Sequence, residues 1–241
     1  MLLGLDVGGT FTDAVIIDGH RVVATAKRRT TKNNLMNGIG EALDAVLEGY
    51  DASNIEQVTL STTVVTNTIV EGKEKPVDLY VVTGPGRNVD DIFPVSPIYL
   101  QGYTDHRGIV VEHTPVDAVR GIANMVQARS GTDLAAVSAK FGVRNPQEEL
   151  SITEELKNTY HTISNGSLLS GSLNFPRRTI SAYFNSAVTL VFTVFKENVE
   201  DALRARNIVA PLHILKADGG SLPIEHMVSR PVEDRKSTRL N

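Results

Sequence analysis

Two adjacent glycines near the N-terminus constrain the fold of this chain more than any other feature. The apolar run Leu2–Val7 predicts a short strand that leads straight into Gly8-Gly9, and apolar residues resume at Ala14–Ile17. Glycine lacks a Cβ atom, so it permits a tight turn and lets a ligand approach the backbone. A second turn at Asp18-Gly19 connects to a third strand over Arg21–Ala26. The chain is therefore predicted to begin with three short strands joined by tight turns.

The remainder of the sequence alternates between helical and strand patterns. Apolar residues recur at helical spacing from Leu35 to Leu47, and Gly49 stands where such a helix would end. Further helices are predicted over Thr62–Val70, from Thr114-Pro115, from Asn145-Pro146 and over Thr179–Arg206. Further strands are predicted over Val58–Leu60, Val77–Val82, Leu134–Ala139 and Leu212–Ala217. Such alternation predicts an α/β layered fold.

Two of these helices carry start signals. Thr114-Pro115 and Asn145-Pro146 each place a capping residue before a proline, the order favoured at helix starts. Glu148-Glu149 follows the second signal, where the positive end of the helix dipole stabilises carboxylates. Arg177 and Arg178 stand at another helix start, where the dipole disfavours cations. Contact with an anion or a facing carboxylate is one interpretation of these two arginines, and a structural role without a ligand is the favoured one.

Composition excludes several classes of function. The 241 residues carry 24 basic and 28 acidic side chains, so the chain lacks the charge of a dedicated nucleic-acid-binding protein. The absence of cysteine excludes disulfides, thiolate metal sites and cysteine nucleophiles. No apolar run approaches the about 20 residues that span a bilayer, and the first residues lack a signal-peptide pattern. The sequence therefore predicts a cytoplasmic protein with neither nucleic acid nor membrane as a partner.

The segment around Gly8-Gly9 has the chemistry of a phosphate site. Consecutive backbone N–H groups in such a turn form a nest that suits phosphate oxygens, and the hydroxyls of Thr10 and Thr12 add donors. Asp6 would repel phosphate, so its carboxylate makes chemical sense with a cation such as Mg²⁺ between the two. The segment lacks the Lys-Ser/Thr ending of a Walker loop, and its glycine spacing differs from that of a dinucleotide-binding motif. The competing interpretation is a structural glycine hairpin with an acidic turn.

Residues 6–13, Asp-Val-Gly-Gly-Thr-Phe-Thr-Asp, resemble the first phosphate motif of the hydantoinase/oxoprolinase family, A-type subunit. That family belongs to the superfamily of actin-like, sugar-kinase and heat-shock chaperone ATPases. Other stretches resemble the family in the same order along the chain, at residues 61–67, 141–149, 169–185 and 216–220. The resemblance covers roughly residues 1–233. Only the first motif is shared across the superfamily, so the order of the later ones indicates the family.

The resemblance implies ATP-dependent hydrolysis of a small cyclic amide, such as a hydantoin or 5-oxoproline. In the family scheme ATP phosphorylates the amide oxygen, and water then attacks the activated carbon and opens the ring. The implied cofactors are ATP and Mg²⁺, and the implied protein partner is a B-type hydantoinase subunit. Three alternatives stay open: an acetone carboxylase-like subunit, a sugar kinase of the same superfamily, and a non-enzymatic nucleotide-binding interaction module.

The fold implied by the resemblance is a ribonuclease H-like lobe of an actin-like ATPase, with an inserted α/β subdomain and the second lobe missing. Residues 1–200 would form the hydantoinase/oxoprolinase N-terminal domain, including a long irregular loop over 84–108. Residues 201–233 would begin a truncated hydantoinase A domain, and the polar, basic residues 234–241 are interpreted as a non-native tail. The chain alone is therefore expected to bind ATP weakly and to be inactive.

The candidate site is assigned by position in these motifs, with Asp6 as the metal ligand and no catalytic residue identified. Its nucleotide-binding residues are predicted to be Asp6, Gly8, Gly9, Thr10, Thr12, Asp13, Asp218, Gly219 and Gly220. Thr62, Thr63 and Asn67 are predicted to cap a helix, with a place in the same cleft as the alternative. His106 lies among charged neighbours, for which a solvated turn is the favoured interpretation over a substrate or partner contact.

Overall fold

Two sheets with parallel strands organise the chain, one in each of two units. The computed structural model describes residues 1–31, 35–86, 90–216 and 219–234. Unit 1 comprises Met1–Lys73 and Val188–Asn241, and unit 2 comprises Glu74–Ala187. Unit 2 therefore interrupts the sequence of unit 1. The α/β layered fold predicted from the sequence is confirmed.

The secondary structure follows the predicted alternation, with additional short strands. The strands are β1 (Leu2–Val7), β2 (Phe11–Asp18), β3 (Arg21–Arg29), β4 (Gln57–Thr62), β5 (Asp78–Val82), β6 (Ile98–Tyr99), β7 (Tyr103–Thr104), β8 (Val110–Glu112), β9 (Leu134–Ala139), β10 (Thr162–Asn165), β11 (Leu212–Leu215) and β12 (Ser221–Pro223). The helices are α1 (Leu35–Val46), α2 (Val64–Val70), α3 (Val116–Ser130), α4 (Gln147–Leu156), α5 (Gly166–Leu169), α6 (Phe175–Arg204) and α7 (Ile224–Met227). Strands β6 and β7 lie within the segment predicted to be an irregular loop, and β10 has no counterpart in the prediction.

Unit 1 is built on a six-stranded sheet with the order β12-β11-β4-β1-β2-β3. Strands β1, β4 and β11 run parallel to one another, whereas β2, β3 and β12 are antiparallel to their neighbours. Because parallel strands point the same way, the carboxyl ends of β1, β4 and β11 meet at one edge of the sheet. The glycine turn connects β1 to β2 at this edge.

One face of the unit 1 sheet is buried under helices, whereas the other face is partly exposed. Alternate side chains of the strands, such as Leu5, Ile16 and Leu60, form one buried cluster with apolar residues of α1 and of the later part of α6. The intervening side chains lie on a face that is only partly covered, and Leu2 on that face is 44% exposed. We refer to this second side of the sheet as the open face.

Unit 2 contains a four-stranded, wholly parallel sheet with the order β10-β9-β5-β6. Helices α3 and α4 pack on one face, against side chains such as Tyr80, and the first part of α6 packs on the other, against Leu79. A parallel strand buried on both faces needs apolar side chains at successive positions. This requirement explains the continuous apolar run that predicted β5.

The longest helix begins earlier than its apolar pattern predicts. It starts at Phe175 rather than Thr179, because the Asn174 side chain accepts a hydrogen bond from the Arg177 N–H at 3.0 Å and so caps the first turn. The two proline signals are each displaced by one residue. The residues that precede α3 and α4 are Pro115 and Pro146, so the predicted side-chain cap by Thr114 is wrong.

Two of the charged residues at these helix starts, Arg178 and Glu149, lie in the interior of unit 2. Arg178 is fully buried and donates hydrogen bonds of 2.7 Å to the carbonyls of Ala139 and Ser172. The buried carboxylate of Glu149 accepts the N–H of Ala139 at 2.7 Å and that of Ser167 at 2.8 Å. Burial raises the pKa of Glu149 and lowers that of Arg178, and their mutual attraction opposes both shifts. Together they hold the peptide groups on either side of Ala139.

Glu148 fixes a second segment in a similar way. Its carboxylate lies 2.8 Å from Nδ1 of His113 and accepts the Thr114 N–H at 2.7 Å. Both glutamates therefore lie in the first turn of α4, as predicted, but their carboxylates bind the backbone of other elements.

Among the described helices, none is both long enough and apolar enough to cross a bilayer.

We predict that Arg178→Met destabilises the protein far more than Arg177→Met. The first change leaves the buried Glu149 without its opposite charge, at a cost of about 3–5 kcal/mol. Arg177 is exposed, and its replacement is expected to change the free energy of unfolding by about 0.5 kcal/mol or less. Urea unfolding followed by circular dichroism measures both values. Equal effects of the two substitutions would contradict the role given to Arg178.

Candidate functional site

The parallel strands of unit 1 bring three sequence motifs to one edge of the sheet. Strand β1 is followed by Gly8-Gly9, β4 by Thr63, and β11 by a loop that contains Gly219 and Gly220. Ligand sites of open α/β sheets gather at the carboxyl ends of their strands. The structure therefore places these predicted residues at one sheet edge. Asp218, predicted to belong with them, lies outside the described residues.

The glycine turn is held in place by a buried threonine. The Gly8 N–H donates to the Phe11 carbonyl at 3.0 Å, and the Thr30 N–H donates to the Thr10 carbonyl at 2.9 Å. The Thr30 hydroxyl donates to the Gly8 carbonyl at 2.8 Å and lies 3.1 Å from the hydroxyl of Thr12. Because a hydroxyl has one hydrogen to donate, Thr12 is the donor to Thr30. Thr12 is fully buried, so it supports the turn from behind, whereas Thr10 is exposed.

A cavity of about 210 Å³ opens beside this turn. Its polar walls combine glycine backbone, hydroxyl groups, one amide and two charged side chains, and they comprise Gly8, Gly9, Thr30, Thr62, Thr63, Asn67, Thr68, Glu71 and Lys73. A Cβ atom on residue 9 would lie 2.9 Å from Nδ2 of Asn67. Glycine at this position therefore allows the turn to approach α2 this closely.

The threonines between β4 and α2 both shape the helix start and line the cavity. The Thr62 hydroxyl donates to the Val7 carbonyl at 3.1 Å and accepts the Val64 N–H at 3.1 Å. The Asn67 amide donates to the Thr63 hydroxyl at 3.2 Å, one turn along the helix. Capping and a place in the cleft, which the sequence leaves as alternatives, are thus both present at Thr62.

The two acidic residues of the motif lie on the other side of the sheet. Asp6 and Asp13 are paired across β1 and β2 on the open face, where they line a groove of about 820 Å³ together with Lys27. The Lys27 ammonium donates to both oxygens of Asp13, at 2.9 and 3.1 Å. Neither aspartate lines the smaller cavity. The predicted residues therefore divide between two surfaces of one sheet edge.

The described residues contain no group of three or more acidic, histidine or cysteine side chains arranged to hold a metal ion. Mg²⁺ commonly binds through one or two carboxylates, with waters and substrate phosphates completing its six ligands. Asp6 with its neighbour Asp13 meets that smaller requirement. A magnesium ion here would depend on phosphate for part of its coordination.

Sequence reasoning missed two residues of the site. Thr30 follows β3 and reaches the turn only because β2 and β3 pair in register, with Phe11 opposite Arg29. Lys73 follows the end of α2, and its side chain lines the cavity with Glu71. No local pattern marks either residue as part of the site, because the glycine turn comes beside Thr30 and the end of α2 only through pairings between distant strands.

The charged loop around His106 forms a turn with several internal hydrogen bonds. The Asp105 carboxylate accepts the N–H groups of Arg107 and Ile109, each at 2.9 Å, and Nε of Arg107 at 2.8 Å. These hydrogen bonds, led by that from Ile109, lower the pKa of Asp105 to about 2. His106 is exposed. The exposure of His106 agrees with a solvated turn, whereas the Asp105 carboxylate is buried.

Comparison with known proteins identifies the family to which this chain belongs. Residues 2–160 match the hydantoinase/oxoprolinase N-terminal region. Comparison with curated protein sequences gives no match. Among solved structures, a nucleotide-free acetone carboxylase, from work on ATP-dependent acetone carboxylation, is similar with a TM-score of 0.75 and 17% identity. The ATP-dependent caprolactamase from Pseudomonas jessenii is similar with a TM-score of 0.74 and 19% identity.

These similarities extend over most of this chain and a minor part of the larger proteins. The match covers 97% of this chain and 38% of the acetone carboxylase chain, and 92% of this chain and 36% of the caprolactamase chain. At these identities the likeness demonstrates a shared fold. The chain therefore spans less than two fifths of the length of either solved relative.

We predict that Thr30→Val loosens the glycine turn and destabilises unit 1. The substitution keeps the side-chain shape but leaves the Gly8 carbonyl and the buried Thr12 hydroxyl without their partner, at a cost of about 1–3 kcal/mol. Thr25→Val, at an exposed position of β3, the strand that precedes Thr30, is the matched control and should change the free energy of unfolding by about 0.5 kcal/mol or less. Urea unfolding measures both, and a neutral Thr30→Val would refute the role assigned to this hydroxyl.

Proposed function

Because the chain belongs to the hydantoinase/oxoprolinase family, we propose that it is the N-terminal part of an ATP-dependent enzyme that opens a small cyclic amide, such as a hydantoin or 5-oxoproline. One observation carries this proposal within the molecule. The turn at Gly8-Gly9 presents its backbone to a cavity lined with hydroxyl groups. Such a turn suits the phosphate groups of a nucleotide.

The size and chemistry of the cavity fit phosphate rather than a whole nucleotide. Sites that enclose a complete small ligand measure about 300–1,000 Å³, and the cavity here measures about 210 Å³. Backbone N–H groups of the turn would donate to phosphate oxygens, and the side chains of Thr63 and Asn67 supply further polar groups. The adenosine would bind to groups that this cavity does not provide.

On the opposite side of the same edge, Asp6 would hold Mg²⁺ with support from Asp13. The carboxylate and the phosphate would share the ion, which removes the repulsion between them. Asp6 is the ligand we assign because it lies at the carboxyl end of β1, two residues before Gly8.

The proposed reaction needs positioning more than covalent chemistry from this chain. ATP supplies the phosphoryl group that converts the amide oxygen into a better leaving group for the attack of water on the ring carbon. The glycine turn would fix the phosphates in line with that oxygen, and the hydroxyl groups would stabilise the charge that develops. Positioning and electrostatic stabilisation are the main contributions of proteins to phosphoryl transfer.

We further propose that unit 1 is a ribonuclease H-like lobe of an actin-like ATPase. The three antiparallel strands β1–β3, followed by parallel β4 and β11 on the other side of β1, support this assignment. A second lobe would supply the adenosine site and complete the cleft, and a B-type subunit would be the partner of the full enzyme. The 241 residues alone should then bind Mg-ATP weakly and show no turnover.

We predict that Gly9→Val weakens Mg-ATP binding by the chain. The new side chain would occupy the space between the turn and the Asn67 amide, so we expect affinity to fall by about tenfold or more, a change of about 1.4 kcal/mol. Equilibrium dialysis with labelled ATP and magnesium measures the dissociation constant. Gly121→Val is the control, because a Cβ on that exposed helical residue meets no atom within 4 Å.

The outcome separates the proposal from its main competitor. Binding by the unchanged chain and by Gly121→Val that is at least about tenfold weaker in Gly9→Val supports a nucleotide site at the turn. If the unchanged chain shows no binding at millimolar Mg-ATP, or if Gly9→Val binds normally, the turn is a structural hairpin and the proposal is wrong.

A further inference from the structure

One ion pair supplies the only charged groups among the residues that line the cavity at the glycine turn. The ammonium of Lys73 lies 2.5 Å from Oε2 of Glu71, and both side chains are part of the cavity wall. The other residues recorded in that wall are glycines, threonines, an asparagine and apolar residues. The wall of the described cavity thus carries no net charge, whereas the phosphate groups of the proposed ligand are strongly negative.

The backbone at the end of α2 places Lys73 in this wall. Gly72 adopts a left-handed conformation with φ of 63°, and its N–H donates to the Ile69 carbonyl at 3.2 Å. The Lys73 N–H donates to the Thr68 carbonyl at 2.9 Å. These two hydrogen bonds form a Schellman motif, which ends the helix and reverses the chain. This turn fixes the backbone position from which the Lys73 side chain reaches the cavity wall.

The ion pair is weak enough to exchange. The Lys73 and Glu71 side chains are 71% and 45% exposed, and pairs of this kind contribute little to stability because water and salt screen them. A phosphate group carries more charge than a single carboxylate and offers more acceptor oxygens. A lysine side chain is also long and flexible, so it can turn from one partner to the other without a change in the backbone.

We propose that Lys73 is the phosphate-binding cation of this site and that Glu71 competes with the nucleotide for it. The inference rests on the proposed function, because it concerns the same phosphate position. When phosphate enters the cavity, the ammonium leaves the Glu71 carboxylate and donates to a phosphate oxygen. Glu71 then faces the phosphate with a like charge, so this carboxylate lowers the affinity of the site.

The proposal predicts that substitutions of the two partners of this ion pair change the affinity for Mg-ATP in opposite directions. Lys73→Met should weaken Mg-ATP binding by about tenfold or more, the effect of one charge-assisted hydrogen bond. Glu71→Gln should strengthen binding by about threefold to tenfold, because it frees the lysine and removes the repulsion. Lys73→Arg should retain most of the affinity. Lys75→Met removes the same charge from an exposed residue outside the cavity wall, and it should bind as the unchanged chain does.

Equilibrium dialysis with Mg-ATP at low salt measures these dissociation constants, and thermal unfolding of each variant confirms that it is folded. A loss in Lys73→Met with a gain in Glu71→Gln supports the inference. If both substitutions leave the affinity unchanged, or if both weaken it equally, the pair is structural and the inference is overturned. Either of these results overturns only the inference, provided that the unchanged chain binds Mg-ATP. If the unchanged chain does not bind Mg-ATP, the proposed function itself fails.

Discussion

The parallel pairing of β1 with β4 is the constraint on which the candidate site depends. It sets the ends of the two strands level, with Val7 opposite Thr62, so the glycine turn and the start of α2 become neighbours. The Thr62 hydroxyl fastens this arrangement by its hydrogen bond to the Val7 carbonyl. Every group that we assign to phosphate follows one of these two strands or supports the turn between β1 and β2.

The glycine turn also explains why the two types of ligand-binding residue are separated. Side chains alternate between the faces of a strand, so Asp6 points to the open face while Val7, one residue later, lies in the buried cluster. The turn itself continues past the end of the sheet, and Gly9 and Thr10 in it are exposed. A cation on the side of Asp6 and phosphate oxygens at the turn are thus compatible, although no single cavity in the described residues contains both.

The sequence predicts those parts of the fold and site that depend on local patterns. Apolar runs located β1, β5 and β9, and the glycine pair located the turn. Strand β2 was predicted from Ala14, but it begins at Phe11, because polar Thr12 and Asp13 are held in the strand by pairing with β3. Pairing between strands is a non-local interaction, so the hydrophobic pattern within the first residues of β2 does not indicate it.

For buried polar residues, the sequence indicates the position within a helix but not the groups that the side chains bind. Glu149 was placed in the first turn of α4 by its sequence position, and the helix dipole accounted for its charge. The structure buries that carboxylate and uses it to bind the Ala139 N–H, while Arg178 binds the Ala139 carbonyl from another helix. Thr30 and Lys73 were missed for the same reason: their roles depend on residues far away in the chain. Local propensity identifies an element, whereas the partners of its polar side chains are set by the tertiary fold.

Amide hydrogen exchange, measured by mass spectrometry with and without Mg-ATP, tests the central claim most directly. We expect nucleotide to slow exchange in peptides that cover residues 8–12 and 62–73, because these segments would bind the phosphates. Exchange in β9 of unit 2, over Leu134–Ala139, should stay unchanged. Protection that is absent from the glycine turn, or that appears only in unit 2, would contradict a phosphate site at Gly8-Gly9.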